Sequence, residues 1–462
     1  MFNKDIYKQR RAQLAEKVGS GMILLLGNDE AGMNFKNNWY PFRQDSTFLY
    51  YAGIDLADLA IIIDLSTGDT TLFGNELTID DVVWTGPLPS LKEQALSVGI
   101  EKVRPYKDLE TVLLANKEKV HFLPAYRPEH VIKYQAWLGV TPDKSVSGAS
   151  ATLIRAVVNM RSYKAPEEIA EMEKAVDISN EMHRHFMRAL QPGKTELAIA
   201  GEIRAIAIAG GGDLSYPTIL TSRGETLHIH AKDTQLPAGA MALCDAGAET
   251  GMHYAGDLTR TAPVSGQYSE IQKEMYQLIL DIQLKTIDAC KPGIPFSEVH
   301  RLSGALLLDG LKSFNIVKGD VQEALALDAH TLFFQCGLGH MIGLDVHDME
   351  NLGEQFVGYT PDAPKNMNFG WKSLRLGRAL EPGFTITVEP GIYFIPTLID
   401  LWKAENKLNQ FINYAELEKF KNFGGIRIED NLLITKDHNR ILGRKMAPKT
   451  IKDMEAIQAG TV

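Results

Sequence analysis

Four carboxylates and one imidazole, widely spaced along the chain, restrict its fold more than any other feature. Asp245 lies in CDAGAE, Asp257 in YAGDLTRT, His340 in GLGHMIGLDVHD, Glu389 in ITVEPGIY and Glu429 in GGIRIEDN. Taken singly, each is weak evidence, since Asp before Ala-Gly and Glu before Pro-Gly ordinarily serve turns. Taken together they demand an explanation. Asp245 ends the apolar run MALCD, Asp257 opens an alternating segment, and both glutamates occupy or end strand-like runs. Acids gathered on strands repel one another and take up protons unless a cation balances them. Two divalent ions would do so. A mostly oxygen donor set with one nitrogen suits Mn²⁺, with Co²⁺ or Zn²⁺ also fitting. Two such ions about 3.5–4 Å apart activate water for hydrolysis.

The bulk composition leaves room for this chemistry. A chain of 462 residues allows two or three domains. Its 45% hydrophobic and 23% charged residues are ordinary for a globular protein with a sizeable core. The formal charge of −10 argues against nucleic acid as a partner. Cys244, Cys290 and Cys336 are few and unpatterned, so a reducing compartment, the cytoplasm, is expected. The start, MFNKDIYKQRRAQLAEKV, lacks the apolar stretch of a secretory signal, and no apolar run is long enough to span a membrane.

Two regions differ in pattern. In the first, residues 22–27, 59–64 and 120–123 read as buried strands, with helical patterns at 91–98 and 107–115 between them. This alternation implies an α/β domain over residues 1–160. Residues 156–166 read as a junction. Pro166 with Glu167 and Glu168 then starts a helix whose stripe includes Met172, Val176, Met182 and Phe186 and which Pro192–Gly193 stops. Further helices are expected near 195–210, 268–290 and 296–311. All five candidate ligands fall in residues 161–462. In TITVE, Thr385, Thr387 and Glu389 share one face and Ile386 and Val388 the other. In IRIED, Arg427 and Glu429 oppose Ile426 and Ile428. Both glutamates can therefore project into a site while their neighbours feed a core, which suits a rigid strand-mounted centre.

These five motifs resemble those of the pita-bread metallopeptidases that act at proline, prolidase and aminopeptidase P. FRQDSTFLYYAG (residues 42–53) resembles the N-terminal domain of the same proteins, so the likeness runs through nearly the whole chain. The resemblance implies an α+β pita-bread (creatinase/aminopeptidase-like) catalytic domain, with a curved antiparallel sheet, behind an α/β creatinase-like domain. It implies hydrolysis of the Xaa-Pro bond by two divalent ions. Asp257 and Glu429 would bridge them, Asp245 would chelate one, and His340 and Glu389 would hold the other. Glu389 would also shuttle a proton. His228 and His347 would contact substrate and stabilise the developing oxyanion, and Arg427 would hold the carboxylate cluster. His230 keeps an ordinary structural reading. The substrate implied is a proline-containing di- or oligopeptide, the oligomer a homodimer, and no nucleic-acid or membrane partner is implied. An Xaa-Pro bond is a tertiary amide without an N–H, so peptidases that recognise that donor lose a contact.

Within the family, Arg375 matches the arginine with which prolidase grips a free carboxylate. The long connection between Glu389 and Glu429 also resembles prolidase, so dipeptides are the expected substrates, with aminopeptidase P activity on longer peptides as the alternative. Two positions stand apart. Cys336 occupies a place where the family usually has histidine, which suggests altered positioning or metal preference and sensitivity to oxidation. Trp84 either packs in a core or, as the resemblance implies, approaches the partner's site across a dimer. A metal-free creatinase-like hydrolase and a non-catalytic binding protein on the same fold are rival classes. Intact residues at all five ligand positions argue against both.

Overall fold

The computed structural model describes residues 1–461. It divides into two compact units, residues 1–161 with 350–356, and residues 162–349 with 357–461.

The first unit is built on a five-stranded sheet. Helix α1 (Lys4–Val18) precedes β1 (Met22–Leu26), and α2 (Ser46–Ala52) precedes β2 (Ala60–Asp64) and β3 (Thr70–Gly74). Next come α3 (Ile79–Thr85), α4 (Leu91–Ser97), β4 (Lys102–Pro105), α5 (Asp108–Asn116), β5 (Val120–His121), α6 (Pro128–Leu138) and α7 (Ala151–Ser162). The strand order is β4-β3-β2-β1-β5. The inner pairs are antiparallel, while β3–β4 and β1–β5 are parallel, so the sheet is mixed. MILLL is apolar throughout because both its faces are covered. Leu24 and Leu26 pack with Leu109, Leu113 and Tyr134 of α5 and α6, and the alternate Ile23 and Leu25 are also buried. Neither β3 nor β4 is foreshadowed in the sequence reading, because KVRP carries too little apolar signal. The 120–123 run pairs only over Val120–His121.

Trp84 does not pack in a core: it is 86% exposed, on α3, which buries none of its residues. Elsewhere, α1 is tied down by Arg11, whose guanidinium donates to the carbonyls of Tyr51, Val98 and Gly99.

In the second unit, α8 (Pro166–Ala189) begins with Pro166 in its first turn, and the Glu168 carboxylate accepts from the Ala165 N–H. Met172, Val176, Met182 and Phe186 are buried, as their spacing predicts. Helix α9 (Glu196–Ala209) follows, then strands β6 (Ile219–Thr221), β7 (Met241–Ala246) and β8 (Leu258–Pro263). Helices α10 (Glu270–Ala289) and α11 (Phe296–Gly310) lead towards β9 (Thr385–Val388) and β10 (Gly391–Tyr393). Helix α12 (Pro396–Ala404), strands β11 (Gly425–Arg427), β12 (Asp430–Ile434) and β13 (Asn439–Ile441), and α13 (Ile451–Gln458) complete it.

Every strand pair here is antiparallel, but the sheet is in three pieces, β6-β7-β8, β9-β12-β13 and β10-β11. Side chains join the pieces. Thr261 Oγ1 donates to the Arg427 carbonyl, and the Glu429 N–H donates to the Thr259 carbonyl, which holds β8 beside β11. Arg260 is fully buried, with its guanidinium on the Asp430 carboxylate at 2.7 Å and on the Glu429 carbonyl at 2.6 Å. Lys449 adds a second cation to Asp430 at 2.6 Å.

Candidate metal centre

The strand ends deliver the acids. Asp245 is in β7, opposite Thr259 of β8, and Asp257 comes one residue before β8. Glu389 directly follows β9, and Glu429 lies between β11 and β12. His340 reaches them because residues 338–342 run along β9. The Thr387 N–H donates to the His340 carbonyl, and the Glu389 N–H donates to the Leu338 carbonyl. The expected alternation holds in space. Thr387 Oγ1 donates to Glu389 at 3.3 Å on one face, while Ile386 and Val388 are fully buried on the other.

Oxygen and nitrogen donors of Asp257, His340 and Glu429 lie within 4.8 Å of one another. His340 Nε2 is 3.4 Å from Asp257 Oδ2 and 3.5 Å from Glu389 Oε1. The other ring nitrogen, Nδ1, is 3.0 Å from the Met341 carbonyl, which turns Nε2 towards the carboxylates. Asp245 joins through two partners. Arg427 holds its Oδ2 at 2.5 Å, and the Tyr216 hydroxyl donates to both Asp245 and Asp257. All five residues line one cavity of about 280 Å³ together with His228, His230, His347, Cys336 and Arg427. The His340 and His347 rings are 3.9 Å apart, centre to centre.

Electrostatics expose the need for a cation. Burial pushes the Glu429 carboxyl well above the carboxylate range, and neighbouring Asp257 adds to it. Burial also raises Glu389, to about 7, and raises Asp245 against the pull of Arg427. Burial works the same way on Asp257, but the His340 imidazole and Tyr216 hydroxyl outweigh it and hold that carboxyl low. For His340, burial disfavours the charged ring, yet Asp257 and Glu389 overcome it and raise it to about 9. Without metal, then, the cluster holds itself together with protons. Glu429 Oε2 accepts from Thr259 Oγ1 at 2.7 Å, whereas the buried Oε1 has no hydrogen-bond partner among the described residues. An orphaned carboxylate oxygen amid oxygen donors and one imidazole fits a hard or borderline divalent ion, whose binding displaces such protons.

Residues 170–436 match metallopeptidase family M24, and residues 7–122 match the aminopeptidase P N-terminal domain. The chain belongs to metallopeptidase family M24. It is a metallopeptidase with the pita-bread catalytic domain behind an aminopeptidase P-type N-terminal domain, and the family implies a divalent metal cofactor. The probable Xaa-Pro aminopeptidase of Botryotinia fuckeliana is 32% identical over 440 residues, covering 94% of this chain and 89% of that protein. The counterpart from Colletotrichum graminicola is 33% identical over 424 residues, covering 90% and 87%. A histidine-to-alanine variant of Escherichia coli aminopeptidase P superposes with a TM-score of 0.82 at 27% identity, covering 100% of this chain and 99% of that one. A zinc-substituted form of the same protein, with product bound, gives 0.81 at 27% identity over the same shares.

Several members of the site departed from the sequence reading or escaped it. His228 lies in a turn at the cavity wall, and burial with the charges of Arg427 and Arg375 lowers its pKa. His230, expected to be structural, lines the same cavity. Arg375 is half-buried and outside the lining, though its charge is felt at His228. Tyr216 has no spacing signal that could reveal it. Thr259 does, since Asp257, Thr259 and Thr261 alternate onto one face. Cys336 sits in the wall with Sγ 3.6 Å from the Tyr393 hydroxyl, which accepts from Arg427 at 3.0 Å. Burial pushes this thiol up to about 12, which weighs against the expected oxidation sensitivity, because the thiolate is the reactive form.

Proposed function

We propose that this metallopeptidase removes the N-terminal residue from peptides whose second residue is proline, acting on longer peptides as an Xaa-Pro aminopeptidase. The observation that carries the reading is the likeness, over 94% of the chain, to a protein described by that activity. This replaces the dipeptide preference expected from Arg375 and the connection between Glu389 and Glu429. That connection folds as scaffold: α12 and the stacked Phe394–Phe420 pair consume its length, and no residue from 390 to 426 lines the cavity. Arg375 is also not a lining residue.

Asp245, Asp257, His340, Glu389 and Glu429 would hold two divalent ions, with Mn²⁺ best suited to the donors and Co²⁺ or Zn²⁺ as alternatives. When bound, such a pair supplies a water-derived nucleophile at neutral pH and polarises the scissile carbonyl. The rest falls to the chain. Glu389, at the end of β9 and in the cavity wall, is placed to carry a proton from water towards the proline nitrogen. His228 and His347, in the cavity wall, orient the carbonyl and stabilise negative charge on its oxygen. Arg427 opposes the effect of burial on Asp245 and aims its carboxylate inwards.

The same reading places the domain boundary at residues 160/161 and the working form as a homodimer. Ile79, Val83 and Trp84 are all exposed on α3, an apolar face of the kind that a second copy would cover. The cysteines are unpaired, in keeping with a reducing cytoplasm, and no helix among the described residues is long and apolar enough to cross a membrane. The test is release of alanine from Ala-Pro-Ala before and after chelation. Activity should vanish with the metal and return with Mn²⁺. Undiminished cleavage by protein shown to be metal-free would overturn the assignment of the five ligands.

A further inference from the structure

From the metal-ligand candidate His340 a short loop, residues 341–348, carries the wall residue His347, and one ion pair fixes it from outside the cavity. Lys164 Nζ lies 2.8 Å from Asp348 Oδ2, with both side chains only 1% exposed. Asp348 is wired into the loop at both ends. Its N–H donates to the Met341 carbonyl at 2.9 Å, and its Oδ1 accepts from the Asp345 N–H at 3.4 Å. The Met341 carbonyl is also the partner of His340 Nδ1. One acceptor thus sets the orientation of the His340 ring and anchors the far end of the loop.

The loop's middle is held as well. The Gly343 carbonyl accepts from the Ala255 N–H at 2.8 Å, two residues before Asp257. A Cβ at Gly343 would come within 2.5 Å of Asp348 Oδ2 and 2.9 Å of Lys164 Cε, so the pair packs directly on the backbone there. Lys164 has its own anchor. Its N–H donates to the Gly383 carbonyl at 2.9 Å, in the turn that enters β9.

We propose that Lys164 and Asp348 are positioning residues that set the ring of His340 for metal binding and the place of His347 in the cavity wall. The proposal rests on the metallopeptidase reading of the centre. Stability alone is a poor reason for such a pair. Two charges this deeply buried lose hydration that their attraction barely restores, and apolar residues of similar size often serve as well. What an apolar pair cannot do is fix a loop through a charged oxygen at a defined point.

The test uses the full chain and Mn²⁺ titration calorimetry, which reads the centre without substrate. Replacing both partners, Lys164→Met with Asp348→Leu, removes the charges together and avoids a lone buried ion. The expected result is a folded protein with Mn²⁺ affinity about tenfold weaker or more. Its kcat for Ala-Pro-Ala should fall while KM changes little. A folded variant that binds Mn²⁺ like the parent would overturn the proposal. If the double variant does not fold, Lys164→Arg decides the question by the same readout, since the planar guanidinium keeps the charge but displaces it. Failure of the parent protein to cleave Ala-Pro-Ala would sink the peptidase reading and leave the affinity comparison standing.

Discussion

At the residue scale, the centre depends on groups that donate to the ligands as much as on the ligands themselves. Tyr216 joins Asp245 and Asp257 through one hydroxyl. Tyr216→Phe keeps the ring and removes that donor. Loss of a group that orients metal ligands typically costs 10–100-fold in metal affinity or activity, so kcat/KM should drop by roughly that factor at fixed Mn²⁺. Parent-like kinetics would show that the two aspartates orient themselves. Cys336 supports a different expectation. With its thiol pushed up to about 12, it should react slowly with iodoacetamide and peroxide at pH 7.5, and activity should survive peroxide that oxidises exposed thiols. Rapid loss of activity, matched by modification of Cys336 in a peptide map, would contradict this.

At the scale of elements, the sequence carried the strand-borne acids clearly. Glu389 and Glu429 alternate with apolar neighbours, and two-residue periodicity is a property of the backbone that needs no tertiary knowledge. Helices α8 to α11 were equally legible as long patterned stretches, and α8 also has Pro166 at its start and Pro192–Gly193 beyond its end. What failed had a common physical origin. Strands β3 and β4 are short and carry polar residues, so their pairing is decided by neighbours. Tyr216 and His230 enter the site through a loop and a lone bridge to Ile219, which periodicity does not describe. The Glu389–Glu429 connection was visible as a length but not as scaffold, and reading it as a substrate determinant gave the dipeptide preference that the similar proteins favour less.

One further element-scale feature is Arg260 of β8, fully buried with its guanidinium on the Asp430 carboxylate of β12 and on the Glu429 carbonyl. Arg260→Met leaves Asp430 to Lys449 and the Gln283 amide. Breaking such a pair costs about 3–5 kcal/mol, and the melting temperature should fall accordingly. An unchanged melting temperature would mean that Lys449 and Gln283 suffice.

Across the molecule, acid stability should be set in part by buried histidines that do not line the cavity. Burial lowers His183 to about 4, His300 to about 3 and His330 to about 4. In the unfolded chain they take a proton near 6.5. Between those values the unfolded state binds more protons, so stability is full above about pH 6.5 and is lost as pH falls towards 4. Each of His183 and His330 accounts for roughly 3 kcal/mol over that window. His300 packs against Phe334, His330 and Trp371, and neither of its ring nitrogens has a hydrogen-bond partner among the described residues. His300→Phe should therefore melt no lower than the parent at pH 7 and lose less stability between pH 6.5 and 4. A steeper acid loss in that variant would show that the ring nitrogens are satisfied in solution.

The central claim concerns which peptides this metal centre opens. It is tested most directly by comparing turnover of Ala-Pro-Ala with that of Ala-Pro by Mn²⁺-loaded protein at one pH. Clear preference for the tripeptide is expected, with release of free alanine and Pro-Ala. Cleavage of the dipeptide alone would contradict it, and would make Arg375 the group that holds the substrate's free carboxylate.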